Sequence, residues 1–324
     1  MSILRIYLSW LLVSVLALAA GSSCHRAGRV RAERFQADSL PSAVVVEQVI
    51  DARSLGVALL APFGLAGGAD GSFYVTDSET DRLLHLDRSG RLLGQVGGSG
   101  FGSNLLNQPT FVTVDNFLNL IVADQGNRRL VRFDLGLNYV EDISFDDDDP
   151  ERRMQTPSGV AISEYGELWV ADRGNDRIAV MDNTAVFDRF VGDFGYSGGQ
   201  LSQPEKILWD HSGNLLVCDA GNGRLVRYDA YGNHQSDVDI DGLEYPIAAA
   251  GRRGQLWVLD GAGGRLACVE VDGAVVLQVG PALIGETQPL RQPSDITFLS
   301  DGRLVISDTG NSRLLVCKII RESR

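Results

Sequence analysis

Six aspartates each stand five residues ahead of an arginine: Asp77 and Arg82, Asp124 and Arg129, Asp172 and Arg177, Asp219 and Arg224, Asp260 and Arg265, Asp308 and Arg313. About 15 residues before each aspartate stands a proline, at Pro62, Pro109, Pro157, Pro204, Pro246 and Pro293, with spacings of 47, 48, 47, 42 and 47. A period of this size, held six times, means that one supersecondary unit is copied and its copies share a core.

Each copy reads as four strands. After the proline comes an alternating run such as Thr110-Phe111-Val112-Thr113-Val114, a strand by its period of two and its β-branching. A turn with glycine comes next in five copies, at Asp70-Gly71, Tyr165-Gly166, Ser212-Gly213, Arg253-Gly254 and Asp301-Gly302. A second apolar strand ends on the aspartate, a hairpin leads to a third strand, and a weaker fourth completes the unit. Four antiparallel strands in about 47 residues make one propeller blade. The expected fold class is all-β, a six-bladed β-propeller of four-stranded blades, with no sustained helical pattern. After Arg313 eleven residues remain, room for a third strand over 314–319 but not a fourth. The missing strand is expected from residues 44–50, which would close the ring and cover an exposed sheet edge.

The copies Val-Ala-Asp-Gln-Gly-Asn before Arg128, Val-Ala-Asp-Arg-Gly-Asn up to Asn175 and Ile-Ser-Asp-Thr-Gly-Asn up to Asn311 resemble the NHL repeat. That repeat has a strand ending in aspartate, a Gly-Asn turn and an arginine opening the next strand. The resemblance covers about residues 60–320 and implies the propeller fold; it specifies no activity. Two copies depart, with Glu79-Thr80-Asp81 in the first and Gly261-Ala262-Gly263-Gly264 in the fifth, so their hairpin tips should differ in shape. A motif present in every blade suits a scaffold. Each aspartate is expected to accept backbone N–H groups across its hairpin, and each arginine to pair with it and pack between blades.

Residues 1–23 hold one charge, Arg5, then an apolar run over 6–20 and the small residues Gly21-Ser22-Ser23 before Cys24, the layout of an export signal. The small residues before Cys24 resemble a bacterial lipobox, which implies cleavage there and acylation of the Cys24 thiol, although Gly21 stands where leucine is usual. Cleavage near Ala17-Leu18-Ala19, or an uncleaved anchor, are the alternatives; every version exports the rest. The expected domains are a signal at 1–23, a tether at 24–43 and the propeller at 44–324. The expected location is the bacterial cell envelope, lipid-anchored, with a secreted or periplasmic soluble form as the alternative.

The formal net charge of −13 argues against a nucleic-acid partner, since that affinity rests on lysine and arginine neutralising phosphates. Cys218, Cys268 and Cys317 lie in apolar runs without a disulfide framework's spacing. The acidic run Asp146 to Asp149, with Asp142 and Glu151 near, lacks the alternation and glycine of a calcium loop and reads as a solvated outer loop. Some six-bladed relatives, such as the peptidylglycine amidating lyases, hold zinc with channel histidines. Here His85, His211 and His234 fall on a third strand, a first turn and a late turn, which scatters them. No Gly-x-Ser-x-Gly elbow is present, no catalytic residue stands out, and no cofactor is expected.

The copies differ most around each proline, where the chain enters the innermost strand at the rim of the central channel. Thr110, Glu205, Lys206 and Asp295 are the candidate ligand residues there. The leading functional reading is a monomeric, membrane-anchored binding scaffold for a protein or glycan ligand, presenting loops on a rigid ring. The alternative is an enzyme acting at the channel, a lyase or lactone hydrolase using a carboxylate-bound metal.

Overall fold

The computed structural model describes residues 39–144, 152–270 and 273–323. The expected export signal with Cys24, residues 25–38 of the expected tether, the acidic run at 146–149 and Glu151 lie outside them.

Six four-stranded antiparallel sheets form the ring, as the repeat predicts. Blades 1 to 5 begin at their prolines, with innermost strands Pro62–Gly67, Pro109–Val114, Pro157–Ile162, Pro204–Trp209 and Pro246–Arg252; blade 6 begins with Asp295–Phe298. Each blade is a meander from the channel outward. The hairpins between second and third strands and the links between blades therefore lie on one face, here the hairpin face. The turns between first and second and between third and fourth strands lie on the other, the turn face.

Blade 6 takes its outermost strand from the start of the propeller. Ser39–Ile50 pairs antiparallel with Arg313–Ser323, with Val44 opposite Ile319, Val46 opposite Cys317 and Ile50 opposite Leu314. The ring closes as expected, but the closing strand starts at Ser39, so residues 39–43 belong to it rather than to a tether. The register shift at 46–48 interrupts the alternation, so Val44 and Ile50, both fully buried, face opposite sides of blade 6, Val44 toward blade 5 and Ile50 toward blade 1. A single helical turn, Ala52–Leu55, capped by Asp51, carries the chain from the rim to blade 1.

Among the described residues the core consists of six apolar clusters, each shared by consecutive blades. One joins Trp169, Val180 and Val191 of blade 3 to Ile207, Val217 and Tyr228 of blade 4; another joins Val305, Leu314 and Ile50 of the closing blade to Leu65, Val75 and Leu84 of blade 1. A blade thus has two apolar faces and cannot bury either alone, which is why the ring must close. Cys218, Cys268 and Cys317 are buried and unbridged, and burial pushes the Cys268 and Cys317 thiols up to about 12.

Part of the negative charge is built into turns. Asp134, Asp182 and Asp229 each accept two N–H groups of the turn they open, at 2.8 to 3.0 Å. Side-chain hydrogen bonds from Asn138 to Asp134, from Thr184 to Asp182 and, against desolvation, from Asn233 to Asp229 add to these N–H groups in favouring the charged form, and all three carboxyls lie below the ordinary range.

Candidate functional site

The six aspartates are fully buried, and their carboxylates hold more than the hairpin. Asp124 accepts from the Asn107 N–H at 2.7 Å, Asp219 from Ser202 at 2.6 Å and Asp308 from Arg291 at 2.8 Å. These donors belong to the segment that leads into the proline, so the aspartate ties the incoming link to the blade rather than spanning the hairpin alone. In blades 2, 4 and 6 the other carboxylate oxygen takes the arginine Nε, at 2.8, 2.9 and 2.6 Å. The same guanidinium then holds the incoming link: Arg129 donates to the Leu105 carbonyl and Arg224 to that of Gln200, both at 2.8 Å. Arg129 also pairs with Asp142, so this flank of the acidic run is committed within blade 2.

The two departing copies do differ. Arg82 stands 3.8 Å from Asp77 and bonds Thr80, Gln95 and the Ala58 carbonyl. Asp260 accepts the Ala262 and Gly263 N–H groups, and Arg265 donates to the Gly242 carbonyl instead of pairing with it. Five pairs are ionic contacts within 4 Å; the fifth copy, rich in glycine, replaces the ion pair with backbone.

Immediately after each proline stands Phe63, Thr110, Ser158, Glu205, Ile247 or Ser294. The short hydroxyls are struts between blades. Ser158 Oγ donates to the Pro204 carbonyl at 2.9 Å, Ser294 Oγ to Phe63 at 2.9 Å, and Thr110 Oγ1 reaches Pro157 at 3.4 Å. Thr110 is therefore buried structure rather than an open rim residue.

Glu205 fills the same place in blade 4 by another chemistry. The hairpin position after the aspartate is Ser78 in blade 1 and Thr309 in blade 6, whose hydroxyls donate to the next blade's proline carbonyl. In blade 3 that position is Arg173, whose Nε lies 2.8 Å from Glu205 Oε1, while the Tyr245 hydroxyl donates to the same oxygen at 3.0 Å. An ion pair replaces a hydroxyl strut. Burial raises the Glu205 carboxyl to about 7, against the opposing pull of Arg173 and Tyr245. Between its ordinary 4.5 and about 7, the folded chain holds a proton that the unfolded chain has released. Stability from this group is full below pH 4.5 and is lost as pH rises through 7. Relative to Glu205→Gln, the parent chain should lose on the order of 2 kcal/mol between pH 5 and 8, read by thermal melts at each pH. Parallel curves for parent and variant would show that Glu205 is not the group.

One residue further on, large and small side chains alternate around the ring: Gly64, Phe111, Gly159, Lys206, Ala248 and Asp295. The glycines are required, since a Cβ on Gly64 would sit 2.4 Å from the Thr110 carbonyl and one on Gly159 2.4 Å from that of Glu205. With three blades drawn close, the other three side chains share the space. Lys206 reaches past blade 5 to blade 6, where its ammonium donates to Asp295 Oδ1 at 2.5 Å and the Ile296 carbonyl at 2.8 Å. Asp295 also accepts the Leu65 and Ile296 N–H groups, both at 2.7 Å. The structure thus brings two of the four candidates, Lys206 and Asp295, together across the channel, and sets Thr110 and Glu205 into blade contacts. Phe111, which shares this level, shows itself in sequence only when the repeats are aligned column by column.

From that level toward the turn face lies a cavity of about 410 Å³. It is bordered by the innermost strands of all six blades, whose apolar side chains (Leu65, Val112, Val160, Ile207, Ala249, Ile296) are buried between blades, and Asn116, Trp209 and Phe298 stand at its mouth. His85 stacks on Tyr74 and His234 lies beside Asp237, both away from the channel. Among the described residues no three His, Cys, Asp or Glu side chains converge as metal donors. A carboxylate-bound metal would find only Asp295 here, already committed to Lys206 and two amides, so this donor set does not fit one.

The family model of the NHL repeat matches residues 290–317, the last of the six copies. A 98-residue stretch is 28% identical to the protein brain tumor of Drosophila melanogaster; it spans 30% of this chain and 10% of that protein. A streptogramin B lyase structure superposes with a TM-score of 0.64 at 14% identity, over 86% of this chain and 98% of that one. A putative gluconolactonase superposes with a TM-score of 0.62 at 18% identity, over 90% and 97%. Likeness at such identity speaks for the fold alone. Strand order, ring closure and the matched repeat agree: the chain is a six-bladed β-propeller carrying an NHL repeat.

Proposed function

We propose that this chain is an exported, lipid-anchored binding scaffold that engages a protein ligand through its turn face. The observation that carries the reading is an aromatic arc over three consecutive blades. Phe117 of blade 2, Tyr165 of blade 3 and Tyr231 of blade 4 stand at turn tips with 77%, 70% and 81% of their surface exposed. Leu118 and Val186 are exposed beside them. Exposed Phe and Tyr held on rigid turns supply contact area at low entropic cost, and such residues anchor protein interfaces. The motif charges, by contrast, are consumed inside the blades. The relative from Drosophila matches a 98-residue stretch, 10% of its own length, and the lyase and gluconolactonase names belong to those proteins.

Export and anchoring rest on the Arg5 start, the apolar run and Cys24. Ser39, where the described chain begins, lies at the turn-face end of the closing strand. The test is in-cell crosslinking of the full chain with membrane fractionation, comparing the parent, Cys24→Ala, and Phe117→Ser/Tyr165→Ser/Tyr231→Ser. The surface triple should melt like the parent yet lose its crosslinked species at least tenfold, and Cys24→Ala should leave the membrane fraction. An unchanged crosslinking pattern in the triple would overturn the turn-face reading. Retention of Cys24→Ala in membranes would overturn the lipid anchor.

A further inference from the structure

We infer that the protein ligand of the turn face presents a lysine- or arginine-rich segment, whose cationic side chains pack on Phe117, Tyr165 and Tyr231 between the carboxylates of blades 2 to 4. The inference rests on the turn-face reading and adds the chemistry of the partner.

The first support is the charge of the turns that carry the arc. In blades 2 to 4 the turns at 115–119, 134–138, 163–167, 182–186, 210–214 and 229–233 hold seven Asp or Glu and neither Lys nor Arg. In blades 5, 6 and 1 the turns at 252–255, 270–274, 299–303, 68–72 and 87–91 hold five acidic residues and five arginines. The face is therefore acidic on the side of the aromatics and balanced on the other. A basic partner is steered to the arc by that difference.

The second support is the charge left over after internal pairing. Arg132 lies 3.6 Å from Asp115, Arg189 3.5 Å from Glu167 and Arg227 3.2 Å from Asp210, all reaching up from the strands. Among the described residues Asp134, Glu164, Asp182 and Asp229 have no such cation. The three aspartates bond turn amides and lie below the ordinary carboxylate range, so they keep their charge without losing it to a partner.

The third support is the fixed geometry of the rings. Asn116 Nδ2 donates to the Ser163 carbonyl at 3.1 Å, which ties the turn of Phe117 to that of Tyr165. Asp115 and Asp229 hold the Phe117 and Tyr231 N–H groups at 2.8 and 2.9 Å. Glu164 lies against the Tyr165 hydroxyl and holds that phenol above its ordinary range. A ring face beside a carboxylate is a place that a guanidinium or ammonium fills, through cation–π attraction and charge together. Blade 3 already makes this arrangement internally, with the Arg189 guanidinium over the Trp169 ring at 5.1 Å and beside Glu167. The same carboxylates repel an anionic bilayer, which is why the occupant is a basic protein segment.

The test uses the full chain in a neutral detergent with two labelled peptides, an arginine–glycine repeat and its citrulline counterpart, which keeps the shape of arginine without its charge. Read by fluorescence anisotropy, the arginine peptide should saturate and bind about tenfold tighter than the citrulline peptide. Phe117→Ser/Tyr165→Ser/Tyr231→Ser and Glu164→Gln/Asp182→Asn/Asp229→Asn should each weaken it about fivefold or more. The carboxamides retain the acceptors of the turns, so the acidic triple should melt like the parent. Glu79→Gln/Asp241→Asn/Glu244→Gln, which removes three exposed charges from the hairpin face, should leave binding unchanged. Equal affinity for the two peptides, or an equal loss in the hairpin-face variant, would overturn the inference. In the cellular crosslinking, loss of the partner in the aromatic triple but not in the acidic triple would overturn it while leaving the turn-face reading standing. Retention in both triples would overturn the two together. The peptide comparison uses the unaltered protein, so it decides the matter even if a variant misfolds.

Discussion

Removal of residues 39–50 is expected to abolish cooperative unfolding and drive the protein into aggregates. The strand contributes ten register pairs to Arg313–Ser323, and its Val46 N–H also donates to the Ile284 carbonyl at 2.8 Å. Val44 packs into the cluster shared by blades 5 and 6, and Ile50 into that shared by blades 6 and 1. Burying two such side chains is worth about 3–6 kcal/mol, before the edge left by the missing strand is counted. That is a large share of a typical stability of about 5–15 kcal/mol. The newly bared strand is apolar along Leu314, Leu315 and Val316, and an uncovered edge of that kind pairs with other molecules. Deletion of residues 25–38 is the control and should leave the melting temperature within about 2 °C. Similar melts for the two deletions would place ring closure elsewhere.

Arg129→Ala is expected to cost about 3–5 kcal/mol, whereas Arg265→Ala should cost under about 1 kcal/mol. The two arginines hold the same place in the motif, so sequence position alone predicts equal effects. Structure separates them. Arg129 is buried, pairs with Asp124 at 2.8 Å and Asp142 at 2.7 Å, and holds the incoming link through the Leu105 carbonyl. Its loss leaves the Asp124 carboxylate buried against two donors, the Asn107 N–H and the Asn127 amide. Burial already pushes the Asp124 carboxyl above its ordinary range, so without Arg129 it should take up a proton readily. The penalty should therefore shrink as pH falls toward 5. Arg265 makes no such pair, and Asp260 keeps its Tyr245, Ala262 and Gly263 amides whatever stands at 265. Urea melts of both variants at pH 5 and 7.5 check the contrast; equal losses at the two sites would contradict it.

The ring is legible in the sequence because each of its determinants is local. Proline, alternation, aspartate and arginine recur within one blade, and the shortage of strands after Arg313 points back to residues 44–50. The start at Ser39 is hidden because Ser39-Leu40-Pro41 carries no alternation and register shifts interrupt the rest of the strand. The site is less legible, for physical reasons. Lys206 and Asp295 are visible as odd residues beside their prolines, yet their pairing spans 89 positions and depends on the lysine reaching past a small Ala248. Thr110 and Glu205 look equally odd, but blades drawn together at Gly64 and Gly159 turn that position into a contact between neighbours. Arg173 is the signal that explains Glu205, since it alone puts a charge where other hairpins carry Ser, Thr, Gln, Ala or Gly. Phe117, Tyr165 and Tyr231 give no sequence signal, because a single aromatic in a turn has no periodicity to reveal it. Only the folded ring sets them on one face.

The most direct measurement of the closed ring is native-state amide hydrogen exchange on the parent protein. If residues 39–50 complete blade 6, the amides of Val45 and Ile50, opposite Lys318 and Leu314, should exchange only with global unfolding, as slowly as those of Leu314 to Cys317. Exchange of 39–50 within seconds, while 314–317 stays protected, would contradict the closed ring.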